Sequence, residues 1–286
     1  MKKLLYVNTW MHPKNNHSMM NYKNIEIHEI KNVELLDTLD LSRFDCIYSP
    51  STHIHVSKYP NSKFLFGPHF STFPERTQMN IIRGPNVTYT QPSEWASKIW
   101  RNNPLCKDIR IELLPFGVDT ERFKPDVDGV RDLVFVYFKG RHPNTLTIIK
   151  SFLKAVNSNN YLIFNYNAKY NENEYIECLK KCKYGIWIGT HESQGFALEE
   201  ALSMNVPLLV WNVKSINEEY GCNYPEIPAT TIPYWDHRCG ESFTELQDLP
   251  NIFNVFISKL ETYKPREYIL ENLTMEICEK RLIELM

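Results

Sequence analysis

The sequence predicts an α/β protein whose parallel sheets are divided between two domains. Short β-branched and aromatic runs alternate with helical patterns almost from end to end. This alternation is typical of parallel sheets with helices on both faces. Several runs are continuously apolar, as expected for strands covered on both faces. The length of 286 residues fits about two domains. The apolar fraction of 43% and the charged fraction of 23% are typical of globular proteins.

Strands and helices are predicted in order along the chain from these runs. The strands of the first half are residues 3–7, 25–30, 45–48, 63–66, 86–89 and 109–114. Those of the second half are residues 133–138, 161–164, 184–188, 206–211 and 229–232. The helices are residues 93–101, 144–156, 172–182, 193–204 and 251–263.

A polar segment separates the two halves. Residues 115–129 contain two prolines, two glycines and many charges, which predicts a linker. The predicted domains are therefore residues 1–115 and 116–264. Residues 265–286 look helical throughout, and we expect them to pack back on the first domain. Asp126 and Asp128 match a D-x-D metal-binding pattern. They follow a proline rather than an apolar strand, so we interpret them as solvated linker charge.

Charge and cysteine usage exclude several classes of protein. Lys and Arg total 32 and Asp and Glu total 34, so no nucleic-acid partner held by phosphate contacts is expected. No apolar run reaches the ~18 residues of a transmembrane segment, and the first run ends at Asn8, too early for a secretory signal. The seven cysteines show no paired framework. Cys178 and Cys182 lack the further ligands of a zinc site. We expect reduced thiols in a cytoplasmic protein without a metal.

The segment from Gly189 to Leu202 carries the clearest chemical signal. It follows a predicted apolar strand and opens a helix, with Glu192 in the turn and Glu200 about two turns into the helix. Gly195 lets a ligand approach the backbone closely. The amides and the dipole of the helix N-terminus favour an anion such as a diphosphate. The two carboxylates can accept hydrogen bonds from the hydroxyls of a sugar or a ribose. Such a ligand would lie at the carboxyl ends of the strands, where open α/β sheets bind ligands.

Two motifs resemble those of the group 1 glycosyltransferases. Glu192 and Glu200 form an E-x7-E pattern, and residues 117–125 read G-V-D-x-x-x-F-x-P in the order that the family has. The resemblance covers about residues 113–210. It implies the GT-B fold, in which two Rossmann-like domains with parallel sheets face each other across a cleft. The first domain would then lie on the acceptor side, and the second would bind the nucleotide-sugar donor.

The resemblance also implies roles for individual residues. Glu192 would contact the transferred sugar, and Glu200 would bind the ribose of the nucleotide. The backbone amides around Gln194, Gly195 and Phe196 would meet the diphosphate.

The family places basic residues after the first strand of the donor domain, where they neutralise the departing diphosphate. That position points first to Arg141 and second to Lys150, whose spacing fits the family better than that of Lys139. Fixed positive charge at this point stabilises the negative charge that develops on the leaving group.

In the first domain, the family often has a histidine that faces the donor sugar and its phosphate. His69, which follows a predicted strand, is the candidate, and it can donate a hydrogen bond there. His53 and His55 compete for the same role. The chain departs from the family in two places: residues 8–13 contain no glycine after the first strand, and Asn205 stands where a glycine is usual.

The resemblance thus implies a retaining hexosyl- or pentosyltransferase of polysaccharide biosynthesis. It would move a sugar from a nucleoside-diphosphate sugar to a hydroxyl of a glycan or glycoconjugate, without a required metal. Two alternatives remain open at this point. One is a sugar-nucleotide epimerase, and the other is a catalytically silent module that binds the nucleotide sugar.

Overall fold

The computed structural model describes residues 1–126 and 129–286, so Val127 and Asp128 of the D-x-D pattern lie outside the described residues. The chain forms two compact units. The first comprises Met1–Gly117 together with Leu273–Met286, and the second comprises Val118–Asn272.

The first unit is built on a six-stranded parallel sheet with the strand order β2-β1-β3-β4-β5-β6. Its strands are β1 (Lys2–Val7), β2 (Ile25–Ile30), β3 (Cys46–Ser49), β4 (Phe64–Phe66), β5 (Val87–Gln91) and β6 (Arg110–Leu113). Its helices are α1 (Pro13–Met20), α2 (Arg76–Ile82), α3 (Glu94–Arg101) and α9 (Met275–Leu285). Tyr89 of β5 stacks on Trp100 of α3 with ring centroids 4.0 Å apart, and such a contact adds to the apolar burial that joins helix to sheet.

The C-terminal helix α9 belongs to this first unit. The Lys2 Nζ donates a hydrogen bond to the carbonyl of Ile283 (2.9 Å), and the Arg281 Nε donates one to the carbonyl of Leu113 (3.1 Å). These bonds join α9 to the first and the last strand of the unit. Residues 265–286 are therefore not one continuous helix. They break at Leu273, because the side chain of Thr274 caps a new helix by accepting from the amide of Ile277 (3.3 Å).

The second unit is built on a five-stranded parallel sheet with the strand order β11-β10-β9-β7-β8. Its strands are β7 (Leu133–Phe138), β8 (Tyr161–Asn165), β9 (Cys182–Ile188), β10 (Leu208–Trp211) and β11 (Gly240–Phe243). Its helices are α4 (Pro143–Ala155), α5 (Glu172–Lys181), α6 (Phe196–Ser203), α7 (Leu249–Ser258) and α8 (Pro265–Asn272). Gly185 in β9 keeps the sheet surface clear, since a Cβ there would lie 2.2 Å from the Phe135 ring.

Ten of the eleven predicted strands are confirmed, and the prediction of a strand at residues 229–232 is wrong. The backbone amide of Thr231 donates to the Asn212 Oδ1 (2.7 Å), and that of Ile232 donates to the Thr230 Oγ1 (3.1 Å). Side-chain oxygens thus take the bonds that a neighbouring strand would accept. The edge strand is β11 instead. Helices α1 and α2, which the sequence analysis did not predict, also form.

Two features are absent from the described residues. No helix in this part of the chain is long and apolar enough to cross a membrane. Among the same residues, no group of three or more His, Cys, Asp or Glu side chains is arranged to hold a metal ion.

Candidate active site

The candidate site of the second unit lies at the carboxyl ends of three neighbouring strands. Lys139 follows β7, Gly189 follows β9, and Asn212 follows β10. Because β7, β9 and β10 are hydrogen-bonded neighbours in that order, the segments after them meet at one edge of the sheet. This edge is where open α/β sheets place their ligands.

The turn between β9 and α6 holds the predicted anion site. Gly195 is the N-cap of α6 and has a φ of 92°, a left-handed conformation that favours glycine. A Cβ at this position would lie 3.3 Å from the Glu192 Cβ and 3.5 Å from its Cγ. The side chain of Glu192 therefore packs directly against the start of the helix, where the amides and the dipole attract negative charge.

Glu192 forms an ion pair with a lysine on the neighbouring strand end. The Lys139 Nζ lies 2.7 Å from one Glu192 carboxylate oxygen and 2.9 Å from the other. The two side chains are 24% and 12% exposed, respectively. Burial lowers the pKa of Lys139, but the charge and the hydrogen bonds of Glu192 more than offset it, and the pKa lies above its ordinary value. Lys139 is thus charged at neutral pH.

Glu200 lies on α6 and is 3% exposed. Its negative charge raises the pKa of tyrosines on neighbouring elements. Burial raises the pKa of Tyr170 to about 12, against a hydrogen bond with Tyr137, and the charge of Glu200 adds to the rise. Tyr137 stacks on Trp187 with ring centroids 3.8 Å apart. These aromatic residues could not be identified as part of the site from the sequence, because their positions in strands and loops form no motif.

Glu199 is a second feature that the sequence did not reveal. It is fully buried, and its Oε2 accepts a hydrogen bond from the Gln194 Nε2 (3.0 Å). Within the described part of the chain, no hydrogen-bond partner lies near its Oε1. Burial raises the pKa of Glu199 well above its usual range. The bond from Gln194 acts in the opposite direction, and the charges of Glu200 and Glu192 raise the pKa further. Burial thus favours the neutral, protonated form of Glu199.

Arg141 points into the protein from the same strand end. Its side chain is 10% exposed. The guanidinium donates hydrogen bonds to four oxygens: the carbonyls of Gly189 (2.7 Å), Trp211 (3.2 Å) and Asn212 (3.1 Å), and the Glu218 Oε2 (2.8 Å). We call this arrangement the strand-end clamp, because one side chain after β7 ties together the segments that follow β9 and β10. Lys150, the second basic candidate, lies exposed on α4.

His69 lies in the first unit, at the carboxyl end of β4. Its Nε2 is 3.2 Å from the Asn15 Nδ2, and its ring meets the indole of Trp10 edge-on, with centroids 4.9 Å apart. Burial, with a smaller effect of His12, lowers the pKa of His69 to about 4. The imidazole is thus neutral at pH 7, with one nitrogen that donates and one that accepts.

The two competing histidines are placed differently, because both His53 and His55 are exposed. The structure gathers Glu192, Gln194, Gly195, Phe196 and Glu200 onto one turn and helix. It also brings Lys139, which the spacing had disfavoured, into contact with Glu192.

Comparison with known proteins rests on solved structures, since no protein-family model and no curated protein matches the chain. A sucrose-phosphate synthase from Thermosynechococcus elongatus is 8% identical, with a TM-score of 0.55 over 100% of this chain and 98% of that chain. The lipopolysaccharide outer core galactosyltransferase WaaB, in its apo form, is 12% identical, with a TM-score of 0.55 over 100% and 99%. The N-terminal domain of the Candida albicans trehalose-6-phosphate phosphatase is 11% identical, with a TM-score of 0.57 over 100% and 96%.

The predicted fold class is confirmed by these similarities together with the two parallel sheets. The chain has the GT-B fold, made of two Rossmann-like units. Identities of 8% to 12% show the fold alone. One of the three proteins is named as a domain of a phosphatase, so the fold does not by itself determine the reaction.

Proposed function

We propose that this protein is a glycosyltransferase that moves a hexosyl or pentosyl group from a nucleoside-diphosphate sugar to a hydroxyl of a glycan or glycoconjugate. The turn between β9 and α6 is the observation that carries the proposal. It combines a helix N-terminus that favours a diphosphate with two acidic side chains, Glu192 and Glu200, that can bind hydroxyls. An anion and a polyol are the two parts of a nucleotide sugar.

The proposal assigns each part of the donor to a part of this turn. The diphosphate meets the amides at Gln194, Gly195 and Phe196. Glu192 accepts hydrogen bonds from hydroxyls of the sugar, and Glu200 accepts them from the ribose. The proposal requires no metal, because fixed dipoles and a lysine charge stabilise the leaving group.

Two structural neighbours add support from their bound ligands. The pneumococcal O-GlcNAc transferase GtfA was solved in complex with UDP and GlcNAc, with a TM-score of 0.51 at 11% identity. The catalytic domain of starch synthase IV from Arabidopsis thaliana was solved with ADP and acarbose, with a TM-score of 0.52 at 11% identity. Nucleoside diphosphates and saccharides are therefore ligands that proteins of this fold bind.

Binding of the donor is tested first, by thermal unfolding with a panel of UDP-, GDP-, ADP- and TDP-sugars. A ligand at 100 times its dissociation constant adds about 2.7 kcal/mol of stability, so one nucleotide class should raise the melting temperature of the wild type. Glu200→Ala should abolish that rise. The matched control is Glu261→Ala, which removes an exposed carboxylate of the same unit and should retain the rise.

Transfer is tested next, with the donor that binds and a set of saccharide acceptors. Acceptor-dependent release of the nucleoside diphosphate, together with a product larger by one sugar, establishes the transferase. An epimerised nucleotide sugar formed without acceptor would establish the alternative epimerase, and binding without any product would establish the silent module. Absence of stabilisation by every nucleotide sugar would refute the donor site.

A further inference from the structure

Two basic residues on either side of Gly140 have opposite surroundings. Arg141 is engaged in the strand-end clamp, where its four hydrogen bonds run to oxygens of the protein. Lys139 instead binds the carboxylate of Glu192 at the start of α6. Lys139 and Arg141 are only two positions apart in the sequence, but their contacts indicate different roles.

The clamp ties Arg141 to the framework of the sheet. Three of its four acceptors are main-chain carbonyls at the carboxyl ends of β9 and β10. A guanidinium that left these oxygens to meet a ligand would leave several part-buried acceptors without a donor, and each such loss is costly. Arg141 is therefore placed to position the loops of the site.

Lys139 differs from Arg141, because its charge is paired with side chains that a ligand can replace. Its Nζ contacts both oxygens of Glu192 and lies 4.8 Å from the centroid of the Tyr166 ring. The side chain of Glu192 in turn packs against Gly195, the N-cap of α6. An anion bound at the N-terminus of α6 thus lies beside the carboxylate that Lys139 already contacts.

We propose that Lys139, rather than Arg141, is the cation that binds the diphosphate of the donor, and that the diphosphate displaces Glu192 from it. Displacement leaves the Glu192 carboxylate available to the hydroxyls of the sugar. Binding of the diphosphate is therefore coupled to binding of the sugar, because it releases Glu192 from the ion pair with Lys139. This inference rests on the proposed function and assigns the cation within the same donor site.

The displacement follows from the charges on the two competing anions. A carboxylate carries one negative charge, whereas a diphosphate carries more and also accepts hydrogen bonds from the amides of a helix N-terminus. Before the ligand binds, the charge of Glu219 also acts on Lys139 and raises its pKa. Lys139 thus stays protonated while it changes partners, and no proton has to move.

The experiment uses the whole chain and inorganic pyrophosphate as the probe, with binding measured by isothermal titration calorimetry. Lys139→Met should weaken binding at least about tenfold, because it removes a charge-assisted hydrogen bond. Glu192→Gln should strengthen binding by about tenfold, because pyrophosphate then no longer competes with a carboxylate for Lys139. Lys154→Met removes an exposed lysine on α4 and serves as the matched control, with unchanged affinity.

Arg141→Lys provides the decisive comparison. If Arg141 is a positioning residue, the variant should unfold at lower urea concentration than the wild type, and its folded fraction should lose less pyrophosphate affinity than Lys139→Met does. If Arg141 were the ligand cation, Arg141→Lys would weaken binding and Lys139→Met would not.

The outcomes separate this inference from the proposed function. Weaker pyrophosphate binding by Glu192→Gln, or wild-type binding by Lys139→Met, would overturn the exchange of partners, even if the wild type transfers sugar. Tighter pyrophosphate binding by Glu192→Gln combined with slower sugar transfer would support both. Tighter binding without any sugar transfer by the wild type would support the exchange and refute the transferase.

Discussion

Replacing Glu199 with glutamine removes an ionisable group from the interior of the second unit while keeping its shape. The wild-type carboxyl is fully buried, and its one hydrogen bond within the described residues comes from the neutral amide of Gln194. Burial raises its pKa well above the usual range, so folding favours the protonated form of this carboxyl. In the unfolded chain the same group ionises near its ordinary pKa of about 4.3.

The sign and size of the effect follow from this difference. A group whose pKa is raised by folding contributes stability that is fully present below the unfolded pKa and is lost as the pH rises towards the folded pKa. The loss is about 1.4 kcal/mol for each pH unit in that interval. As the pH rises above about 4, the wild type should therefore lose stability through Glu199 at up to this slope. Glu199→Gln does not titrate and should not lose it.

Urea unfolding followed by tryptophan fluorescence at several pH values measures this difference. The free energy of unfolding of Glu199→Gln should approach that of the wild type near pH 4 and exceed it increasingly up to pH 7. Glu261→Gln, which changes an exposed carboxylate of the same unit, corrects for the loss of one charge. A difference between Glu199→Gln and the wild type that stays constant with pH would show that the carboxyl is ionised in the folded state, and the reasoning would be wrong.

Three further predictions concern other residues. Arg141→Lys should lower the free energy of unfolding by about 1 to 3 kcal/mol, measured with urea, because part-buried carbonyls lose charged donors. The Cys222 thiol is exposed while the other six cysteines are buried, so a thiol reagent should label one cysteine per native chain, and Cys222→Ser should prevent the labelling. His69, with its pKa lowered to about 4 by burial, should show no change in its imidazole NMR shifts between pH 8 and pH 6. A titration midpoint near pH 6.5 for His69 would show that burial does not lower its pKa.

The sheets of both units could be predicted from the sequence, because their strands are short apolar runs that helices cover on both faces. The wrong strand at residues 229–232 shows the limit of that signal. The run has the composition of a strand, but Asn212, which lies 19 residues before Thr231, takes its backbone hydrogen bond. A side chain so distant in sequence leaves no local pattern from which this competition can be predicted.

The site was predictable to the extent that its groups lie on one continuous segment. The turn and helix around Gly195 follow from local sequence, and so does their attraction for an anion. The surroundings of Arg141 and Lys139 do not, since they are decided by the ends of β9 and β10, at least 48 residues further along the chain. The burial of Glu199 could not be predicted either. Glu199 and Glu200 are adjacent glutamates of the same helix, and nothing in the local sequence distinguishes them.

The adjacent acids Glu199 and Glu200 illustrate how one helix turn can combine stability and binding. Consecutive residues on a helix point in directions about 100° apart, so the two side chains have different neighbours. Glu199 accepts a hydrogen bond from Gln194, and burial favours its neutral form. Because Gln194 belongs to the turn that leads into α6, this bond holds the segment whose amides would meet the diphosphate. A neutral acid does this without adding negative charge beside an anion site, whereas an ionised one would oppose the binding that the helix N-terminus favours.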